Sequence, residues 1–270
     1  LFNFAANIVT KSPMRYTIKL SYDGSSLNGW QIQPDANTVQ GSLENALSKL
    51  LRCDISITGA GRTDAKVNSV NYMAHFELPD EMNIDVEQIG YKLNAILPNS
   101  IKVHSLNLAD SDFHARFDAT SRAYRYFLHR KKDPFMESYS YRFTFPIDVD
   151  KMNLAAEKLL GTHDFSSFEK LGGNNKTSIC TVMEARWETW TPSHVSMLGY
   201  PCEEGDYLVF TIRADRFLRN MVRAVVGTLL DVGRGKRDPE WIDHLLEAGD
   251  RCAAGESVPG NALFLYEITY

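Results

Sequence analysis

The chain's most reactive combination of residues is in the stretch Gly59-Ala60-Gly61-Arg62-Thr63-Asp64-Ala65, between two β-type runs, Ile55–Thr58 and Val70–Phe76. Two glycines so close together ask for a tight turn or a close backbone approach. Arg62 and Asp64 then fall on a loop between strands, where a rigid scaffold presents side chains. No Gly-Lys-Ser/Thr follows, so the loop is not a phosphate-binding one. A second candidate is Arg223. Around it, Phe217, Met221, Ala224, Val225, Thr228 and Val232 make one helical face, and Leu218, Val222, Val226 and Leu229 the adjoining one. A helix apolar over most of its surface is largely buried, and a charge within it needs a partner. At about 100° per residue, Arg216, Arg219 and Arg223 share one strip. The partner is either a purely structural carboxylate or one in a functional cleft.

Charge is unevenly spread. The protein has 29 Lys and Arg against 34 Asp and Glu, a net charge of −5. That balance argues mildly against a nucleic-acid partner, but it averages over faces. His114, Arg116, Arg122, Arg125, His129, Arg130, Lys131 and Lys132 cluster with only Asp118 to oppose them, interleaved by Phe113, Phe117, Tyr124, Tyr126 and Phe127. Cations neutralise phosphates and ring faces accept unstacked bases, so this pattern suits RNA as well as it suits a solvated strand. Arg116, Arg122, Arg125, Arg219 and Lys66 are the candidate phosphate contacts.

The elements that must position these residues follow from periodicity. Arg15–Asp23 alternates as a strand, and Asn37 or Thr38 caps a helix through Leu51. Strands at Ile55–Thr58 and Ser69–Leu78, a helix from Val86 stopped by Pro98, and a strand at Ile101–Leu106 complete a β-α-β-β-α-β order. A similar order follows: strands at Tyr124–Leu128 and Tyr141–Phe145, a helix capped by Asp148 and ended by Gly161, strands at Thr181–Trp190 and Tyr207–Ala214, a helix from Phe217 to Gly233, a short helix at Trp241–Leu246 and a strand at Leu263–Tyr270. Pro192–Gly205 reads as a flexible hairpin insertion. The expectation is α+β: two ferredoxin-like halves, residues 14–108 and 123–270, joined by a connector at 109–122. Their antiparallel sheets would lie side by side around a basic cleft. Residues 1–13 read as an N-terminal extension, with folding expected from Met14.

Composition bounds the class. Of 270 residues, 44% are apolar and 23% charged, ordinary for a globular protein with a sizeable core. No apolar run is long enough to span a bilayer, and no signal peptide is legible. The four cysteines are scattered, so free thiols in the cytoplasm are expected rather than disulfides or zinc. Neither a metal-ligand cluster nor a dinucleotide fingerprint is present, so no metal and no cofactor are expected.

Gly61-Arg62-Thr63-Asp64-Ala65 resembles the signature loop of the TruA-type tRNA pseudouridine synthases, normally Gly-Arg-Thr-Asp-Ala-Gly-Val-His. Further matches run in order: Gly29-Trp30-Gln31, Val39-Gln40, Phe113-His114-Ala115-Arg116, Arg122-Ala123-Tyr124-Arg125-Tyr126, Gly161-Thr162-His163-Asp164-Phe165 and Phe217-Leu218 through Gly227. Lys66 stands where the family has Gly, Asn68 where it usually has His and Cys180 where it often has Arg. Asn261-Ala262-Leu263 lacks a usual Gly. The resemblance implies that Asp64 is the catalytic aspartate, Tyr124 the tyrosine that stacks on substrate, Arg223 the partner of Asp64, and Arg62 the residue that stabilises or replaces a flipped base. It also implies a homodimer acting on the anticodon stem-loop of tRNA at positions 38–40. The rivals are a non-catalytic tandem RNA-binding module, which lacks the expected RNP1 pattern, an Asp-dependent hydrolase, which lacks a second carboxylate at readable spacing, and a degenerate synthase.

Overall fold

The computed structural model describes residues 13–79, 82–170, 172 and 176–270, so the extension expected at residues 1–13 lies, but for Pro13, outside the described residues. The chain opens with β1 (Met14–Tyr22), whose Tyr16, Ile18, Leu20 and Tyr22 are buried in strict alternation. Thr38, rather than Asn37, caps α1 (Val39–Leu51), its hydroxyl accepting the Gly41 N–H. Then come β2 (Ile57–Gly59), β3 (Asn68–Leu78), α2 (Val86–Ile96) capped by Asp85, and β4 (Ile101–Ala109). The second part holds β5 (Ser121–His129), the two-residue β6 (Tyr141–Arg142), α3 (Val149–Glu157) capped by Asp148, β7 (Gly161–Asp164), β8 (Ile179–Thr189), α4 (Ser193–Leu198), β9 (Tyr207–Ala214), α5 (Met221–Gly233), α6 (Trp241–Ala248) and β10 (Leu263–Thr269).

The strands do not form the two separate sheets expected. They make one ten-stranded sheet in the order β4-β1-β3-β10-β5-β9-β8-β7, with β2 beside β3 and β6 beside β5. The last strand of the chain is the join. β10 pairs antiparallel with β5 along most of its length, but parallel with β3 over only two pairs, Phe264–Asn68 and Leu265–Ser69. Side chains reinforce that short seam: Ser69 Oγ donates to the Leu265 carbonyl at 2.9 Å and Asn71 Nδ2 to the Tyr266 carbonyl at 2.9 Å.

Three local differences from the periodicity have plain causes. The helix expected from Phe217 begins at Met221, because Asn220 adopts the left-handed conformation (φ 65°) and breaks it. Arg216 and Arg219 therefore lie before the helix, off the strip that carries Arg223. Gly161 opens β7 rather than ending α3; β7 is an exposed edge strand with no apolar alternation to betray it. The Pro192–Gly205 insertion contains α4, closed by Gly199 in the left-handed conformation and tethered by His194 Nε2 to Asp133 Oδ2 at 2.7 Å.

Candidate active site

Asp64 sits on the loop between β2 and β3, and several segments press on it. The Thr63 carbonyl accepts the Trp30 N–H at 3.2 Å, and Thr63 Oγ1 shares a hydrogen bond with Tyr22 Oη at 2.8 Å. Lys66 N–H donates to the Leu27 carbonyl at 3.1 Å, and Val67 N–H turns back to the Asp64 carbonyl at 3.2 Å. Gly29, at φ 90°, is needed here: a Cβ on it would collide with the Thr63 carbonyl. Of the two glycines that drew attention in the sequence, Gly59 packs against Trp30 and Tyr72, whereas a Cβ on Gly61 would meet open space. Tyr72 Oη donates to the Gly61 carbonyl, fixing the other end of the loop.

Arg223 reaches the loop from the first turn of α5. Its Nη1 donates to Asp64 Oδ2 at 3.2 Å and its Nε to the Val258 carbonyl at 2.7 Å. The helix is buried on nearly every other side, which leaves this guanidinium one direction in which to point. Gly227 lets the segment through Glu256 lie directly on the helix backbone, and Gly255 N–H donates to Thr228 Oγ1 at 2.9 Å, so the carbonyl that orients Arg223 is itself held. The ion pair is half-buried, with 28% of the Asp64 side chain and 23% of the Arg223 side chain exposed. It is shielded but not dry, which favours a modest contribution to stability.

Tyr124 forms the third side. Burial pushes its phenol well above the usual range; the negative charge of Asp64 adds to the effect, and Arg122 opposes it. The ring meets Phe217 edge-to-face, with centroids 5.0 Å apart. The broken helix start puts Phe217 on Tyr124 instead of on a helical face.

The other candidates separate into two groups. Arg62, Lys66, Arg116 and Arg219 are exposed, and Arg62 and Lys66 flank Asp64 on its own loop. Arg122 is not free to meet phosphate. Its terminal nitrogens donate to the carbonyls of Ala119 (2.8 Å), Asp215 (2.8 Å), Ala60 (3.2 Å) and Arg116, so it staples the Asp64 loop to the connector. Arg125 follows Tyr124 on β5 and therefore points to the opposite face of the sheet, where its guanidinium lies 4.5 Å from the Tyr266 ring centroid. Sequence reasoning missed Tyr22, Phe217 and the Val258 carbonyl. Phe217 was read as core from its spacing, and a backbone acceptor leaves no mark in side-chain identity.

No group of three or more His, Cys, Asp or Glu side chains is placed to hold a metal among the described residues. No described helix is long and apolar enough to cross a membrane. A cavity of about 290 Å³ bordered by Lys131, Asp133, Tyr200, Cys202 and Tyr207 does not touch Asp64.

Residues 155–270 match the sequence profile of a tRNA pseudouridine synthase family. The chain is 46% identical over 260 residues to tRNA pseudouridine synthase A of Bacteroides fragilis, covering 96% of this chain and 97% of that protein. It is 48% identical over 256 residues to the Bacteroides thetaiotaomicron protein of that name, covering 95% and 90%. The Bacillus subtilis one is 40% identical over 261 residues, covering 95% and 99%. With whole-chain identity at that level, the protein belongs to the tRNA pseudouridine synthase A family.

Proposed function

We propose that the protein isomerises uridine to pseudouridine in the anticodon stem-loop of tRNA, at one or more of positions 38–40, with Asp64 as the reacting carboxylate. The observation that carries this reading is the Asp64–Arg223 pair at 3.2 Å beside Tyr124. The reaction breaks the C1′–N1 bond, turns the base, and forms C1′–C5 as the C5 proton leaves and the freed N1 takes one up. Nothing is oxidised or reduced, so the chain's own groups suffice. Asp64 acts in its ionised form, either adding to the ribose carbon or taking a ribose proton. Arg223, held by the Val258 carbonyl, fixes the carboxylate by a charge-assisted bond.

The uridine must leave its stack to reach Asp64. Tyr124 receives its face, and Arg62 fills or steadies the space it leaves. Arg116, Arg219 and Lys66 are exposed and serve as phosphate contacts, whereas Arg122 positions the loop. An open site of this kind suits a nucleotide presented by a large RNA. Residues 14–108 and 123–270 act as two related halves, with 109–122 as the connector and the β3–β10 seam as their junction. By family likeness the working unit is a homodimer in the cytoplasm, and sedimentation at micromolar concentration tests the dimer. The activity is tested by tritium release from tRNA labelled at uridine C5. Release by the wild type and none by Asp64→Asn is expected; equal release from both would remove Asp64 from its role.

A further inference from the structure

The Asp64 loop ends at Asn68, which is 2% exposed and uses both ends of its amide. Its Oδ1 accepts the Gly24 N–H at 2.8 Å, and its Nδ2 donates to the Asn261 carbonyl at 2.7 Å. These partners come from separate stretches: Gly24 from the turn after β1, Asn261 from the short 3₁₀ turn Gly260–Ala262 that leads into β10. Both stretches lie directly on the loop. A Cβ on Gly24 would collide with the Val67 carbonyl, and one on Gly260 would stand 2.7 Å from the Ala65 carbonyl. Asn261 is anchored in turn, its Nδ2 donating to the Ser138 carbonyl at 3.2 Å. The backbone pairing of β3 with β10 begins at Asn68 and lasts only two residues, so the seam alone fixes the loop poorly.

We infer that Asn68 is a positioning residue for the reaction: by tying the turn after β1 and the turn before β10 to one side chain, it sets where Asp64 stands relative to Arg223. This rests on the isomerase reading above. The two bonds have opposite polarity, so the side chain must accept at one end and donate at the other. Leucine does neither. A neutral imidazole does both, but a protonated one only donates and would set an N–H against the Gly24 N–H. Asn68 does not titrate, so it keeps the clamp indifferent to pH.

The test compares wild type, Asn68→Leu and Asn68→His by single-turnover C5 tritium release from pH 5.5 to 8, with tRNA affinity measured in parallel. Asn68→Leu is expected to lose at least about tenfold in the chemical step while its tRNA affinity stays within about twofold, since the loss concerns orientation rather than binding. Asn68→His is expected to approach wild type at pH 8 and to fall away below about pH 6.5, the ordinary range of imidazole, where wild type shows no such loss. An Asn68→His profile parallel to wild type would overturn the inference, as would a folded Asn68→Leu with an unchanged rate. Hydrogen exchange at the Gly24 amide reads the clamp without substrate: protection in wild type that persists in Asn68→Leu would also overturn it. Absence of release from wild type would instead overturn the isomerase reading.

Discussion

Two aspartates in this protein each meet a basic side chain near a tyrosine, and they are built to opposite ends. Asp133 is 2% exposed and takes three hydrogen bonds. Its Oδ2 accepts from His194 Nε2 at 2.7 Å and Tyr207 Oη at 2.7 Å, and its Oδ1 accepts the Phe135 N–H at 2.9 Å. Burial opposes its charge, but those hydrogen bonds outweigh burial and hold the carboxyl below the usual range. Asp64 has one side-chain hydrogen bond among the described residues, to Arg223, and keeps its other oxygen and about a quarter of its surface open. A buried carboxylate already bonded at both oxygens has little room for a substrate. Of the two, Asp133 borders a cavity, and Asp64 is the one free to react.

The largest effect that bears on this contrast is on chemistry. Asp64→Asn keeps shape and removes charge, and is expected to lower the single-turnover rate by about 10³-fold or more while tRNA still binds. Asp133→Asn is expected to leave that rate within about twofold. Arg223→Lys retains charge without the fork that bonds Asp64 and the Val258 carbonyl together, and is expected to fall between them, near 10²-fold. A rate lost in Asp133→Asn and kept in Asp64→Asn would reverse the comparison.

Stability should rank the two the other way. Removing Asp133 leaves Tyr207 buried and His194 part-buried without their acceptor and releases the tether of α4, so Asp133→Ala should cost about 3 kcal/mol. Asp64→Ala breaks a half-exposed pair and should cost about 1 kcal/mol. Urea midpoints at unchanged m-value measure both. Because the folded Asp133 carboxyl is depressed, its contribution is complete above the unfolded value near pH 3.9 and is lost as pH falls through the lower folded value. Equal costs for the two substitutions would mean that exposure does not separate these sites.

The same contrast explains what was legible in the sequence. Asp64, Arg223 and Tyr124 stood out because they pair charge and aromaticity with a specific order of motifs, and the structure brings the three together. The helices were legible from caps such as Thr38 and Asp148 and from apolar spacing such as that from Val86 to Leu97. The single sheet was not, because its closure depends on β10 inserting between β3 and β5, and no local pattern tells a strand which neighbours it will find. Arg122 and Arg125 were grouped with the cleft on charge alone. Period two sends Arg125 to the other face, and only tertiary structure reveals the four carbonyls that occupy Arg122. Asp133 carried no motif, since its partners lie 61 and 74 residues away in the chain.

Acid sensitivity above the range of Asp133 should arise elsewhere, at His75. Burial first, then the charges of His114 and Arg15, push its imidazole down to about 4, with Glu77 and Asp118 opposing. Its Nδ1 accepts the Ala115 N–H at 3.1 Å, a role only an unprotonated nitrogen can fill. Between about pH 4 and the unfolded value near 6.5, the unfolded chain binds a proton that the folded site refuses. Stability therefore falls as pH drops through that window. His75→Gln keeps an acceptor for Ala115 and cannot titrate, so its Tm should decline less between pH 6.5 and 4.5. Parallel Tm curves for the two proteins would move the acid sensitivity away from His75.

The smallest expected effect concerns a residue of the Asp64 loop with no counterpart around Asp133. Lys66 is exposed and holds φ 67°, a left-handed conformation that costs a side-chain-bearing residue about 1–2 kcal/mol. Lys66→Gly removes that strain but gives the unfolded chain more freedom, worth about 0.5–1 kcal/mol. The two terms partly offset, so folding stability should change by no more than about 1.5 kcal/mol. The loop backbone is held by the Leu27 carbonyl and by Asn68, neither of which needs the lysine side chain, so the single-turnover rate should be unchanged. What remains is the charge. If Lys66 meets a phosphate, its loss weakens tRNA binding and lowers the slope of log K against log salt by just under one, the yield of one released counterion. An unchanged slope would confine Lys66 to solvent. A collapse of the chemical step at unchanged binding would mean that the restriction the Lys66 side chain places on the loop, and not the clamp at Asn68 alone, holds Asp64 open for substrate.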